Sequence, residues 1–293
     1  MNKKKLIILI IIVLIIGIVA GYFWGFSNEK AVLTKKLNII RPIRENNSEY
    51  KFVDPLLAYI IPSADQEANM VSLKNKISGY INANKNNNNL SDTSVFFYDL
   101  NRGRWIGVNE TEKYSPASML KVVIMVACLK DSEINSSVLN KYLVYTKNID
   151  DFLKKDSFNT LSDLKIGSSY KTEDLINKMI IDSDNGAKLY SATYLNSQNS
   201  EKALDILSKV TFTDGLVAGV SKDTIVAHKF GEHIIQQNNQ AQQIELHDCG
   251  IIYYPKNPYL LCVMTKGSNL DNLKNTIKSI SSLVYQEYKN LGN

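Results

Sequence analysis

The sequence predicts an α+β domain whose β-sheet is assembled from both ends of the chain around an inserted helical lobe. Strand-like runs come as a pair between 94 and 108 and as a set of three between 224 and 265. Helical patterns precede, separate and follow these strands, and strands at both ends with helices between them fit an α+β sheet closed around a lobe. From Met119 to Leu129 only Lys121 is polar, which describes a helix apolar on all sides and so buried in a core.

The chain has 293 residues and a net charge of +5, room for one sizeable domain plus an anchor or for two small domains. Lysines and arginines are scattered apart from Lys3, Lys4 and Lys5, so no nucleic-acid groove is expected. Cys128, Cys249 and Cys262 lack metal-ligand spacing, and Cys128 fits a small core residue. No metal or cofactor is expected. Leu6 to Phe26 is almost unbroken apolar sequence, long enough for the ~20 residues that cross a bilayer. The lysines before it place the N-terminus in the cytoplasm, so residues 1–26 read as a stub and transmembrane signal anchor with the remainder outside. A cleaved signal peptide is the competing reading, since Val19-Ala20-Gly21 resembles a cleavage site. Residues 27–66 form a connecting segment. Its second half, from Phe52 to Pro62, is too apolar for a free linker and is expected to pack along the domain at 67–293.

Met70 to about Ala83 reads as a helix with Val71, Leu73, Ile77 and Ile81 on its apolar positions. Asn84 to Asn89 is a low-complexity loop. Ser94 to Leu100 is a strand, turned by Asn101-Arg102-Gly103 into Arg104 to Val108. Asp131 to Ser169 is polar and helical in patches. Thr172 is placed as the N-cap of a helix that buries Leu175, Ile176, Met179 and Ile180, and Ser200 as the cap of a helix from Lys202 to Val210. Thr224 to Gly231 is a strand ending at glycine. Cys249 to Tyr254 and Tyr259 to Thr265 are strands joined across Pro255 to Pro258, and Leu270 to Leu291 is a long helix.

The chemistry centres on Ser118 and Lys121. Ser115 is a good N-cap and Pro116 a good first-turn residue, which places Ser118 in the first turn of the apolar helix. Three residues on, Lys121 shares its face. A lysine in apolar surroundings either snorkels to the surface or loses hydration, in which case its charged form becomes costly and it can accept a hydroxyl proton. Ser-x-x-Lys also occurs at Ser27, Ser48, Ser162 and Ser168, but in polar sequence where the spacing carries no such consequence.

Three motifs follow one another: Ser118-Met119-Leu120-Lys121, Ser183-Asp184-Asn185 and Lys229-Phe230-Gly231. The trio resembles class A β-lactamases and the related penicillin-binding proteins. The stretches Asn109 to Tyr114, Gly167 to Asn185 and His247 to Thr265 are similar to that family too, so the resemblance spans about Leu73 to Leu291. It implies a five-stranded antiparallel sheet flanked by helices with an all-helical lobe. It also implies catalytic roles for Ser118, Lys121, Ser183 and Lys229. Ser118 attacks an amide carbonyl, Lys121 accepts its proton, and Ser183 hands a proton to the leaving nitrogen. Lys229 supplies charge for a substrate carboxylate, and Asn185 holds Lys121 and the substrate amide. The backbone N–H groups of Ser118 and Glu232 form the oxyanion site, while Phe230 and Gly231 line the substrate wall.

Two departures qualify the resemblance. Members that turn over β-lactams carry a Glu-x-x-Leu-Asn loop after Ser-Asp-Asn, and the interval from Asn185 to Lys229 is too short for it. The near match at Glu201 reads as part of an ordinary helix. Phe230 stands where the family has a Thr or Ser hydroxyl for the substrate carboxylate. The expectation is a membrane-anchored, extracytoplasmic, monomeric serine hydrolase acting slowly on a β-lactam or peptide amide. The alternatives are a cell-wall D-Ala-peptidase-like enzyme and a catalytically silent binding protein that keeps the fold.

Overall fold

A computed structural model describes residues 51–52, 64–85, 90–146, 163–184, 196–237 and 240–291. The expected membrane span at Leu6–Phe26, residues 86–89 of the low-complexity loop expected at 84–89 and Asn185 all lie outside these residues, while Asn84 ends the first helix instead of opening that loop. Among the described residues no helix is long and apolar enough to cross a membrane.

The chain runs α1 (Ala64–Asn84), β1 (Leu90–Asp99), β2 (Trp105–Val108), a 3₁₀ turn at Ala117–Met119 and α2 (Leu120–Ile134). It continues through β3 (Tyr142–Val144), β4 (Ser169–Lys171), α3 (Thr172–Ile181), α4 (Ser197–Leu207), β5 (Val226–Gln237), β6 (Gln240–Ile252), β7 (Tyr259–Gly267) and α5 (Leu270–Leu291). The five-stranded sheet has the order β2-β1-β7-β6-β5 and is antiparallel throughout. The first hairpin lies beside the last strand, so the sheet closes across α2, α3 and α4, the expected α+β arrangement.

One face of the sheet is dry. Val95, Phe97, Asp99, Leu246, Asp248, Leu261, Val263 and Thr265 alternate along their strands and are almost wholly buried. Against them pack α5, through Leu273, Ile277, Ile280 and Val284, and α1, through Leu73, Ile77 and Ile81. Asp99 sits in this layer because it is fully paired. Arg104 donates to its Oδ2 (2.9 Å), and the backbone N–H groups of Asn101 and Arg102 donate to its Oδ1, closing the turn that Gly103 completes at φ +66°. A buried charge of this kind persists only when paired and hydrogen-bonded.

Several local expectations change. The helix expected from Ser115 begins at Leu120, because Ala117 adopts φ +45°, which no α-helix accommodates, and the chain makes a 3₁₀ turn first. Lys171, not Thr172, precedes α3; the Thr172 hydroxyl instead donates to the Lys141 carbonyl. Asn196, not Ser200, caps α4, accepting from the Asn199 N–H (2.8 Å). The strand expected to stop at Gly231 runs on to Gln237, paired with a β6 that begins at Gln240, nine residues ahead of its expected start. The small β3–β4 ladder was not anticipated. Cys249 and Cys262 face each other across β6 and β7 and form a disulfide, while Cys128 is a buried free thiol.

Candidate active site

The site lies where the 3₁₀ turn, the end of α3 and the edge strand β5 meet. Ser118 is half-buried in the turn, and Lys121 is in the first turn of α2 with its side chain wholly buried. Lys121 Nζ donates to the Ser183 carbonyl (2.5 Å) and the Ser183 hydroxyl (3.1 Å). From the opposite side Lys229 Nζ donates to the same hydroxyl (2.9 Å). Ser183 is itself buried and held at φ +57°, a conformation costly for a residue with a β-carbon and therefore imposed by its surroundings. The structure thus brings Lys121, Ser183 and Lys229 into one hydrogen-bonded group one helical turn from Ser118.

Burial pushes the Lys229 ammonium down to about 7, opposed by the charge of Asp248. The Phe230 ring, 4.3 Å from Lys229 Nζ, also favours the charged form. Asp248 is held in turn by His228 Nδ1 (2.7 Å) and the Leu216 N–H (2.9 Å).

Phe230 is not where the sequence places it. It is 5% exposed and its ring stacks on Phe212 with centroids 4.4 Å apart. Strand alternation accounts for this: Lys229 and Gly231 share one face of β5, and Phe230 turns from it into the core. It supports Lys229 from beneath and offers no wall to a substrate. Gly231 does sit at the site. A β-carbon there would lie 2.8 Å from the Pro116 carbonyl and 3.2 Å from Met119 Cγ, so the glycine lets β5 approach the Ser118 turn. Glu232, next along the strand, is buried. Glu201 is engaged elsewhere: its two carboxylate oxygens accept from the backbone N–H groups of Lys51 (2.7 Å) and Phe52 (2.6 Å). Phe52, buried, packs edge-on against Tyr253 with centroids 5.3 Å apart.

Sequence reasoning missed the groups that hold the turn before Ser118. The Ser115 N–H donates to Glu245 Oε2 (2.8 Å), and His247 Nε2 lies 3.0 Å from the Ser115 carbonyl. Lys266 reaches Glu112 (2.6 Å) and the Lys113 carbonyl (2.5 Å) and lies 4.6 Å from the centroid of the Tyr114 ring. Some 130 residues separate Ser115 from Glu245. The available signal was the alternation Glu245-Leu246-His247, two polar side chains directed to one face of a strand.

Comparison with known proteins follows the same outline. The model of the β-lactamase enzyme family matches residues 72–189 and 186–288. Among solved structures, a PBP-A mutant in acyl-enzyme complex with penicillin G superposes with a TM-score of 0.62 at 20% identity, over 75% of this chain and 97% of that one. The TLA-3 extended-spectrum β-lactamase gives 0.61 at 18% identity over 75% and 99% of the two chains. A class A β-lactamase from Mycobacterium abscessus gives 0.60 at 15% identity over 74% and 99%. No curated protein sequence matches. Matched by that family's model over most of its described domain and built on the same fold, the chain belongs to the β-lactamase enzyme family.

Proposed function

We propose that this chain is a serine hydrolase that forms an acyl-enzyme at Ser118 with a β-lactam or a peptide amide. The observation that carries the reading is the convergence of two buried lysines on the Ser183 hydroxyl beside the serine turn. Ser118 Oγ attacks the amide carbonyl and passes its proton to Lys121 Nζ. The oxyanion that forms is held by the backbone N–H groups of Ser118 and Glu232, usually the largest electrostatic contribution in such reactions. As the C–N bond breaks, Ser183 gives its proton to the departing nitrogen and is resupplied by the lysines. Lys229 attracts the substrate carboxylate, Gly231 admits the substrate backbone, and Asn185 binds the substrate amide.

Deacylation is slow in this reading. Glu201, the residue nearest in pattern to a deacylating glutamate, spends both oxygens on the backbone of Lys51 and Phe52. The apolar run Leu6–Phe26 tethers the domain to the outer face of the membrane. Full-length protein mixed with a chromogenic cephalosporin is the test. A burst of about one product per enzyme and then a slow steady state is expected, the kinetic mark of an accumulating acyl-enzyme. Rapid burst-free turnover would contradict the slow-deacylation part. Absence of any product with β-lactams and cell-wall peptides alike would contradict the enzyme reading.

A further inference from the structure

We propose that Glu245 and His247 are positioning residues that fix the distance between the two backbone N–H groups of the oxyanion site. The proposal rests on the acyl-enzyme reading for its consequence and on independent geometry for its premise. The turn before Ser118 contains a non-glycine residue, Ala117, at φ +45°. Left-handed backbone at such a residue persists only where the surroundings over-determine it. Here both backbone groups of Ser115 are clamped by side chains of one strand. Its N–H donates to Glu245 Oε2 (2.8 Å) and its carbonyl faces His247 Nε2 (3.0 Å).

His247 is held in the orientation the clamp needs. Its Nδ1 faces the Thr265 N–H (3.3 Å) and so accepts, which leaves Nε2 to carry the proton and donate to Ser115. The ring is wholly buried and meets the Tyr114 ring edge-on, centroids 5.2 Å apart. Burial pushes its pKa down to about 4, so the ring stays neutral with this tautomer above that pH.

The same strand fixes the other wall. His247 lies directly opposite Gly231 in the β5–β6 ladder, and Leu246 lies opposite Glu232. The strand that carries the Glu232 N–H is therefore bonded to β6 through its backbone, while the turn that carries the Ser118 N–H is bonded to β6 through Glu245 and His247. The missing β-carbon of Gly231 lets the two walls close to contact. An oxyanion site works only where both donors lie within hydrogen-bond distance of the developing charge. A displacement of about 1 Å in such a site can cost about 10²-fold in rate.

The test compares His247→Phe, which keeps a ring against Tyr114 and removes the donor, with His247→Gln, whose amide can donate to the Ser115 carbonyl. Two readouts are taken on the full chain: amide hydrogen exchange over residues 115–119, and the acylation rate with penicillin G separated from the dissociation constant of the preceding complex. In His247→Phe, exchange over 115–119 is expected to speed up while β1 and α5 keep their protection. Acylation should slow by about 10²-fold with the dissociation constant unchanged. His247→Gln should recover most of both. Glu245→Ala, which removes the other half of the clamp, should act in the same direction and serves if His247→Phe does not fold. Unchanged exchange over 115–119 in a folded clamp variant overturns the proposal, as does a rate loss matched by loosening of the whole sheet. If the natural protein does not acylate at all, the acyl-enzyme reading fails, and the exchange readout still decides whether the clamp holds the turn.

Discussion

Gly231→Ala probes the contact between β5 and the Ser118 turn. The added β-carbon would meet the Pro116 carbonyl oxygen at 2.8 Å, Met119 Cγ at 3.2 Å and Ala117 Cβ at 3.3 Å. These neighbours differ in how far they can yield. Met119 borders a cavity of about 290 Å³, bounded also by Val122, Leu207 and Ile251, and its side chain can move into that space. The Pro116 carbonyl is backbone, in a turn clamped at Ser115 by Glu245 and His247. The strain therefore falls on the turn or on β5. Forcing extra atoms into a packed contact costs about 1–3 kcal/mol. Moving the turn by a few tenths of an ångström toward 1 Å should slow acylation by about tenfold to 10²-fold. Urea unfolding gives the first quantity and single-turnover acylation with penicillin G the second. A Gly231→Ala protein with natural stability and natural acylation rate would refute the claim that β5 and the turn are in forced contact.

Other outcomes follow from the same structure. Phe230→Thr should not accelerate penicillin acylation, because Phe230 is buried against Phe212. It should instead cost about 3–5 kcal/mol in urea unfolding, the range for emptying an aromatic core position; faster acylation by a stable variant would put Phe230 in the cleft. Lys229 titrates near 7 in the folded chain against 10.5 unfolded, so the unfolded state binds more protons between these values and this residue's penalty is relieved as pH rises through that window. Stability of the natural protein relative to Lys229→Met should accordingly rise from pH 7 toward 10, and a flat or falling difference would contradict the depressed value. Removing the Cys249–Cys262 disulfide by Cys249→Ala with Cys262→Ala should lower stability by about 2–4 kcal/mol, read by urea unfolding under oxidising conditions. An unchanged midpoint would show that the crosslink restrains nothing the ladder does not already hold.

The parts of the fold legible in the sequence are those with a strong local pattern. Leu270 to Leu291 carries its apolar residues at helical spacing, and α5 has those bounds. The hairpin of β1 and β2 is marked by β-rich runs around Asn101-Arg102-Gly103. The extension of β5 and β6 beyond Gly231 was not legible, because the chain from Glu232 to Gln243 is dominated by polar residues and its strand character comes from backbone pairing. Tertiary context similarly overrode the capping preference of Ser115. Its backbone is taken by Glu245 and His247, so the helix starts later than its composition suggests.

The site divides along the same line. Ser118, Lys121, Ser183 and Lys229 are visible as motifs, since the acyl transfer proposed for them demands particular residue types in short patterns. Phe230 was misplaced because a motif position gives no orientation, and alternation along β5 decides which side chains face the turn. Glu245, His247 and Lys266 act on the turn from far along the chain, and their roles arise only when β6 and β7 are laid beside it.

The most direct test of the central claim is peptide mapping by mass spectrometry after full-length protein is mixed with penicillin G and quenched with acid. A single covalent penicilloyl adduct on the peptide containing Ser118 is expected. It should be lost in Ser118→Ala and should form about 10²–10⁴-fold more slowly in Lys121→Ala, the usual contribution of a positioned general base. An adduct that forms unchanged in Ser118→Ala, or one mapped to another residue in the natural protein, would contradict the assignment of Ser118 as the nucleophile.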